Sequence, residues 1–306
     1  MDDLIIRPIA GVTELERFNF VPYVLNGEIA GDLAGGRRVP GWLWLAERDG
    51  RPVARVAWWG RAGDDAPLLM DIFDVDDDLP EAERVAIGER LVRTALPEVV
   101  SGRPPQYLRF VPADWQDDPA AVRARMTALE RTGARPFVER LRLEWRAGTP
   151  VPEPDGRLEF RGTDRGELVG LMTRVLDGTL DAHSRADLAG KPAAQVAAEH
   201  YDEEFARYSS PMEWHRVGVR ADGAPVGFVV PARNPYNAII AYLGVLPEHR
   251  GHGYADALLA AGTRLLAAED VPRIRASTDV GNTPMAAAFA RTGYVDFEHE
   301  IDMTWD

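Results

Sequence analysis

Leu243-Gly244-Val245-Leu246-Pro247-Glu248-His249-Arg250-Gly251-His252-Gly253-Tyr254-Ala255 runs straight into an Ala/Leu-rich stretch, and its reading decides the rest of the chain. A short apolar strand ends at Pro247, a turn with two glycines follows, and a helix opens near Tyr254. That order aims several backbone N–H groups and the positive end of a helix dipole at one spot, an arrangement suited to an anion, phosphate above all. Gly253 can take positive φ and lets main chain approach a ligand closely. Ala255 is small enough for an extended ligand to lie against the helix.

Working outward, the stretch sits in a mixed pattern of strands and helices. A strand over Ala238–Val245 precedes it. The helix Tyr254–Ala268 is followed by a strand (Arg273–Ser277), a helix (Pro284–Arg291) and a last strand. Upstream lie a strand (Leu158–Arg161), a helix (Asp164–Leu176) and a hairpin, Glu213–Arg220 with Pro225–Val230, turning at Asp222-Gly223, the favoured two-residue chemistry. Antiparallel hairpins mixed with helical crossovers make an α+β layer fold.

The N-terminal half repeats this plan. Arg131-Thr132-Gly133 recurs as Arg291-Thr292-Gly293, and Trp145 recurs as Trp305 at the same offset. Asp49-Gly50-Arg51-Pro52-Val53 is echoed by Asp222-Gly223-Ala224-Pro225-Val226, and Leu4-Ile5-Ile6-Arg7 by Leu158-Glu159-Phe160-Arg161. Self-similarity over this length means two copies of a domain, whereas a solenoid repeats every ~20–50 residues. The matching elements are a strand at Leu4–Arg7, a helix near Thr13–Phe18, and a hairpin of Trp42–Arg48 and Pro52–Trp59. A strand (Leu68–Val75), a helix (Glu81–Leu96), a strand (Tyr107–Val111), a helix (Pro119–Arg131) and a last strand follow. The Pro/Gly-rich run 148–156 sustains neither helix nor central strand. The expected division is therefore 1–147, a linker at 148–156, and 157–306.

Arg250-Gly251-His252-Gly253-Tyr254-Ala255 fits the pattern Q/R-x-x-G-x-G/A, and with strand, turn and helix in this order it resembles the acyl-CoA-binding signature of the GNAT superfamily of N-acetyltransferases. The resemblance covers about Gly156 to Asp306. It continues through Gly281-Asn282-Thr283-Pro284-Met285, Phe289 and Thr292-Gly293-Tyr294. The fold it implies is two GNAT-like mixed-sheet domains in tandem, and the co-substrate it implies is acetyl-CoA. Amides of Gly251, His252, Gly253, Tyr254 and Ala255 would cradle the pyrophosphate, with Arg250 adding a cation at the rim. Pantetheine amides would pair with the free edge of the strand at Leu243, Gly244 and Val245, as a peptide adds to a sheet. A main-chain N–H there would meet the thioester oxygen as charge develops. Asn282 and Phe289 complete the expected cofactor set.

The first half serves as a control. Aligning Val75 with Val245 puts Pro80-Glu81-Ala82-Glu83-Arg84-Val85 where Arg250 to Ala255 lie. Pro80 has no N–H to give. Glu81 and Glu83 would satisfy the helix dipole themselves and repel a pyrophosphate. Asp78 with Glu81 reads as a capping box. The run Asp74, Asp76, Asp78 lacks the Gly and Glu of a calcium loop, with Leu79 and Val85 in their places. The first copy is expected to be degenerate.

The acceptor side departs from the family. Many members place a Glu on the strand before the signature, and Asn237–Val245 has no carboxylate. Many carry a Tyr acid where Phe289 stands. Tyr242 is the candidate acid, with an aromatic core role as the competing reading. The long segment from Asp181 to His215 lies where the family shapes its acceptor pocket and offers Asp181, His183, His200, Tyr201, Glu213 and His215. Each of these also fits a surface or capping role, and His200 lies in a run that reads as a solvated helix face. His249 and His252 read as loop surface. Trp42, Trp44, Trp58 and Trp59 read as core or inter-half packing.

Composition narrows the classes. The chain has 306 residues, 45% hydrophobic and 27% charged, ordinary for a globular protein. A net charge of -14 argues against a nucleic-acid partner and suits a cationic acceptor. The absence of Cys removes disulfides, thiolate metal sites and a Cys nucleophile; no metal is expected. No apolar run approaches the ~20 residues of a membrane helix. With an acidic start lacking a signal core, the expectation is a cytoplasmic protein, with a homodimer among its expected partners. It would move an acetyl or other short acyl group to the amine of a small molecule by direct transfer. The alternatives are a non-catalytic acyl-CoA sensor and a scaffold whose halves merely dimerise.

Overall fold

A computed structural model describes residues 4–305. The chain forms two compact units: one holds residues through 139 together with 299 onward, the other Arg140–Glu298.

In the first unit, β1 (Ile5–Pro8), β2 (Leu43–Arg48), β3 (Arg51–Trp59) and β4 (Leu69–Val75) form an antiparallel run, and β5 (Gln106–Pro112) joins β4 in parallel. Helices α1 (Leu15–Phe18), α2 (Ile29–Ala34), α3 (Glu81–Val99) and α4 (Ala120–Glu130) accompany it. The β2–β3 turn is the predicted one: Asp49 and Gly50 both take positive φ, and Arg48 pairs with Arg51. Trp42, Trp44 and Trp58 are buried in the core with Phe18 and Phe73. The expected capping box is absent. Pro80 is the N-cap of α3 with no side-chain bond, and Asp76 takes the Asp78 amide at 3.1 Å. Proline rather than a carboxylate fixes this entry.

Strand β6 (Ala134–Arg146) begins in the first unit and ends in the second. In the second unit, β7 (Glu159–Arg161), β8 (Arg216–Val219), β9 (Pro225–Arg233) and β10 (Ala238–Val245) run antiparallel. Strand β11 (Arg273–Asp279) is parallel to β10 and antiparallel to β6, from Arg273↔Arg146 to Asp279↔Arg140. Helices α5 (Arg165–Val175), α6 (Ala182–Leu188), α7 (Ala193–Glu203), α8 (Tyr254–Ala267) and α9 (Thr283–Arg291) complete it. Alternation along β9 separates two cores. Val229 faces α8 through Leu258 and Leu259, while Phe228 and Val230 face α5 and α7 through Leu171, Met172 and Val196. The β8–β9 turn is wider than predicted. It spans 220–224, Arg220 and Ala224 are hydrogen-bonded, and Asp222 takes the Ala224 amide at 3.1 Å.

Strand β12 (Val295–Trp305) starts in the second unit and finishes in the first. There Met303 and Trp305 join the core, and Arg103 donates to the Trp305 carbonyl at 2.9 Å. Strands β6 and β12 each have residues in both compact units. The expected linker carries no helix or strand, but each half of the sequence gives up the end of its last strand to the other unit.

Candidate functional site

The site follows from a failure of pairing. Strands β10 and β11 are paired at Ala238↔Ile274 and Ile239↔Arg275, then part. A register shift between Ile240 and Tyr242 in β10 marks the start of the gap. The Leu246 amide bonds the Val226 carbonyl on β9 at 2.9 Å. Successive strand residues turn their amides to opposite sides, so Leu243 and Val245 aim theirs at the gap. A cavity of about 600 Å³ occupies this gap. Leu243, Gly244, Val245, Arg250, Gly251, Gly253, Tyr254, Ala255, Asn282 and Phe289, all expected at the cofactor, line it, and so does Tyr242. His252 does not. Its Nδ1 lies 2.9 Å from the Arg250 carbonyl, so its ring serves the turn.

The turn itself has the geometry an anion needs. Gly251 and Gly253 lie at φ 79° and 76°, and Gly253 is a left-handed N-cap to α8 with no side-chain bond. Among the described residues, no protein acceptor lies on the amides of Gly251 to Ala255; the first amide bonded is Asp256, to the Gly253 carbonyl at 3.3 Å. Free amides at the start of a fourteen-residue helix are an anion cradle. Asp256 also lines the cavity, but Arg291 neutralises it with bonds of 2.7 and 2.8 Å. A pyrophosphate and an extended amide arm fit these donors.

Two arginines change places with respect to expectation. Arg250 is not a free rim cation. Its guanidinium donates to the carbonyls of Val175 (2.7 Å), Asp177 (2.7 Å), Gly178 (3.3 Å) and Val245 (3.2 Å), closing the C-terminal end of α5 and tying it to β10. Arg157 stands at the turn instead. It donates to the His252 carbonyl at 2.7 Å and lies 5.0 Å over the Tyr254 ring. Asp155 holds it from behind. The sequence signal was faint: an Arg just past the Pro-rich run, with no fixed spacing to the motif.

Tyr242, Asp181 and Arg140 also line the cavity. Tyr242 both packs among aromatic side chains and lines the cavity. Its ring stacks on Phe228 at 5.4 Å and meets His200 edge-on at 5.3 Å, yet the residue lines the cavity. Burial, reinforced by the charge of Asp181, pushes its phenol far above the usual range, so the proton stays on. Asp181 caps α6 by accepting the Ser184 amide at 2.7 Å. Burial pushes its carboxyl up, but bonds from Ser184 and the charges of Arg140 and His183 outweigh this, and it stays ionised. Asp279 anchors the wall, taking Arg140 Nε at 3.2 Å and the Ala182 amide at 2.7 Å.

Of the remaining candidates, His183, His200, Tyr201, Glu213 and His215 are absent from the cavity lining. His200 is not on a fully solvated face: it is half-buried among Phe205 and Tyr242, with Nε2 2.7 Å from Glu204. His215 is buried beside Tyr201, and burial holds its ring neutral. Glu213 is exposed in a short turn. Asn282 opens α9 and bonds the Asp279 carbonyl through its amide at 2.8 Å. Phe289 packs edge-on against Tyr294, whose hydroxyl meets Thr263 at 2.9 Å inside the core and is no substitute acid.

A parted parallel pair, a strand edge facing the gap and an anion cradle at a helix start define a GNAT-type acyl-transfer fold, here in tandem. Residues 181–294 match the acetyltransferase (GNAT) family, which supports reading the chain as an N-acetyltransferase. It is 27% identical over 270 residues to mycothiol acetyltransferase of Clavibacter michiganensis subsp. michiganensis (strain NCPPB 382), covering 86% of this chain and 80% of that protein. A GCN5-related N-acetyltransferase from Sphaerobacter thermophilus superposes with TM-score 0.60 at 16% identity, covering 99% of this chain and 95% of that one. A tandem GNAT protein from the clavulanic acid biosynthesis pathway gives 0.53 at 18% identity, with 98% of each chain covered. The family match and the mycothiol acetyltransferase relative favour the enzyme over the sensor and the scaffold.

Proposed function

We propose that the second unit binds acetyl-CoA in the gap between β10 and β11 and passes its acetyl group directly to the amine of a small molecule. The observation that carries this is the set of amides from Gly251 to Ala255 left without a protein acceptor at the mouth of a lined cavity. They hold the pyrophosphate, and the gap-facing amides of Leu243 and Val245 hold the pantetheine arm. Acetyl-CoA supplies an activated thioester. A main-chain donor at this edge meets the carbonyl oxygen as it gains charge.

With no Cys in the chain, a thiol nucleophile is unavailable, and the amine attacks the acetyl carbon itself. The C–N bond forms, the C–S bond breaks, and the sulfur gains a proton while the nitrogen loses one. Tyr242 lines the cavity and keeps its proton, so in this reading it donates a hydrogen bond to the sulfur as negative charge builds there, and the proton that ends on the sulfur comes from the acceptor nitrogen by way of solvent.

Calorimetry with CoA and thiol release from acetyl-CoA across a set of primary amines test the reading. Micromolar CoA binding with amine-dependent thiol release is expected. CoA binding without thiol release from any amine would instead revive the sensor.

A further inference from the structure

Residues 178–182 form a strap held at both ends, one beside the end of β10 and the other at the end of β11. At the first end, the Arg250 guanidinium donates to the carbonyls of Val175, Asp177 and Gly178 and to that of Val245. One side chain thus fastens the close of α5 to the close of β10. Gly178 is fitted to this contact: it lies at φ 62°, and a Cβ there would stand 3.1 Å from Arg250 Nη1. Close packing backs the link, since a Cβ on Gly244 would lie 3.0 Å from both methyl carbons of Val175. An ion pair between Arg174 and Glu248 adds a second tie from α5 to the turn. At the far end, Asp279 takes the Ala182 amide at 2.7 Å. Between the two anchors, Thr179, Leu180 and Asp181 line the cavity.

The strap and the anion cradle belong to opposite faces of the sheet. Gly244 meets Val175 of α5, and Tyr242, two residues earlier and so on the same face, stacks on Phe228 of the α5 and α7 core. Helix α8, whose first amides form the cradle, packs on the other face through Leu258 and Leu259. The donors of Arg250 are therefore engaged on the side of Tyr242. We propose that Arg250 is a positioning residue for the acceptor: it fixes the strap across the mouth of the gap, and the strap is the wall that holds the acceptor amine beside Tyr242. This rests on the reading of the second unit as an acetyl-CoA-dependent transferase. Attack on the acetyl carbon needs the nitrogen held in line, and a displaced wall spreads it over unproductive poses while the cradle stays intact.

Arg250 is exposed and itself lines the cavity, so a phosphate cation is the competing role. Two substitutions separate them. Arg250→Met removes all four bonds, and Arg250→Lys keeps the charge but not the fork that reaches several carbonyls. Thiol release is measured with acetyl-CoA and a panel of primary monoamines, diamines and amino sugars, CoA affinity by calorimetry, and local opening by hydrogen exchange at 176–182. In R250M, kcat/KM for the best amine is expected to fall at least about tenfold, the scale of a misplaced reactant. Exchange at 176–182 should quicken, and CoA affinity should stay at the wild-type value. R250K should resemble R250M. Gly178→Ala, which crowds the guanidinium from the strap side, repeats the comparison should R250M fold poorly. A loss of CoA affinity in R250M that R250K restores overturns the proposal and returns Arg250 to the phosphates. Unchanged amine kinetics, or unchanged exchange, in a folded R250M protein overturns it as well. A wild-type protein that binds no CoA is a distinct result: it removes the cofactor reading and the acceptor role with it, while the exchange measurement still decides whether Arg250 holds the strap.

Discussion

The two units share a strand plan, and the gap beside the inner parallel strand is filled in opposite ways. In the first unit, β4 and β5 are paired at Leu69↔Gln106 and Met70↔Tyr107, then part as β10 and β11 do. Arg109 crosses that opening, donating to the Phe73 carbonyl at 3.1 Å and forming an ion pair with Asp74 at 3.0 Å. Arg125 reaches Asp74 at 3.4 Å and the Val75 carbonyl at 3.4 Å, and Arg55 bonds Asp74 at 2.8 Å. Phe73 and Val75 correspond to Leu243 and Val245. The first unit therefore satisfies this strand edge with its own guanidinium groups, where the second leaves it facing a cavity. The helix that follows agrees: Pro80 opens α3 and Glu83 pairs with Arg48, so the first turn offers no anion cradle. A parted sheet edge leaves polar groups that need partners, and a bound cofactor or an internal ion cluster can provide them.

The largest expected effect breaks the plug. Asp74 is fully buried. Burial alone would push its carboxyl up, but Arg109, Arg55 and Arg125 together hold it ionised. Asp74→Ala strands these arginines and should cost about 3–5 kcal/mol in denaturant unfolding. CoA affinity of the folded protein should stay unchanged, and a parallel loss of CoA binding would mean that the first unit does hold cofactor.

Next comes the cradle. Gly253→Asp puts a carboxylate where a pyrophosphate is expected and a side chain on backbone at φ 76°. It should lower CoA affinity at least about a hundredfold, since like charges at a close site cost several kcal/mol. Glu81→Ala, at the matching turn of the first unit, should change nothing. Calorimetry showing the reverse pattern would end the assignment.

A smaller change distinguishes the two inner strands. Tyr242 aligns with Ile72, so only the second unit has a hydroxyl at this position. Tyr242→Phe should reduce kcat about a hundredfold, the scale of a lost hydrogen bond to developing charge, with CoA binding intact. Burial holds the phenol protonated well beyond the usual value of about 10, so the drop should be uniform from pH 6 to 9. A variant as fast as wild type would leave Tyr242 a core aromatic.

What the sequence disclosed was local. The glycines of 251–253, the strand before them and the repeat of Arg-Thr-Gly all act through nearest neighbours, and the elements appear within a few residues of where pattern put them. What stayed hidden depends on distant partners. Arg250 reads as a phosphate cation because the motif places it at the rim, yet the open carbonyls at the end of α5, some seventy residues earlier, capture it. The exchange of strand ends through β6 and β12 leaves no mark in composition, since an exchanged strand alternates like any other. His200 reads as solvated from its charged neighbours, while its partners Phe205 and Tyr242 are set by tertiary packing.

Arg157 sharpens the comparison at its finest scale. It is the cation at the glycine turn, and it works in two ways. Its bond to the His252 carbonyl holds that peptide with its oxygen outward, which helps turn the following amides toward the cavity mouth. Its charge, partly offset by Asp155, adds attraction for phosphate. Both effects are exposed to solvent and so modest. Arg157→Gln should raise the KM for acetyl-CoA about five- to tenfold, the scale of one typical net hydrogen bond of about 1 kcal/mol. It should leave kcat at saturation unaltered, because Arg157 is absent from the cavity lining around Tyr242 and Asp181. Arg157→Lys, which restores charge without the fixed fork, should recover part of the loss in low salt and less in high salt. A reduced kcat at saturating acetyl-CoA would instead show that the turn governs the position of the acetyl group, with Arg157 acting through α8 rather than on phosphate.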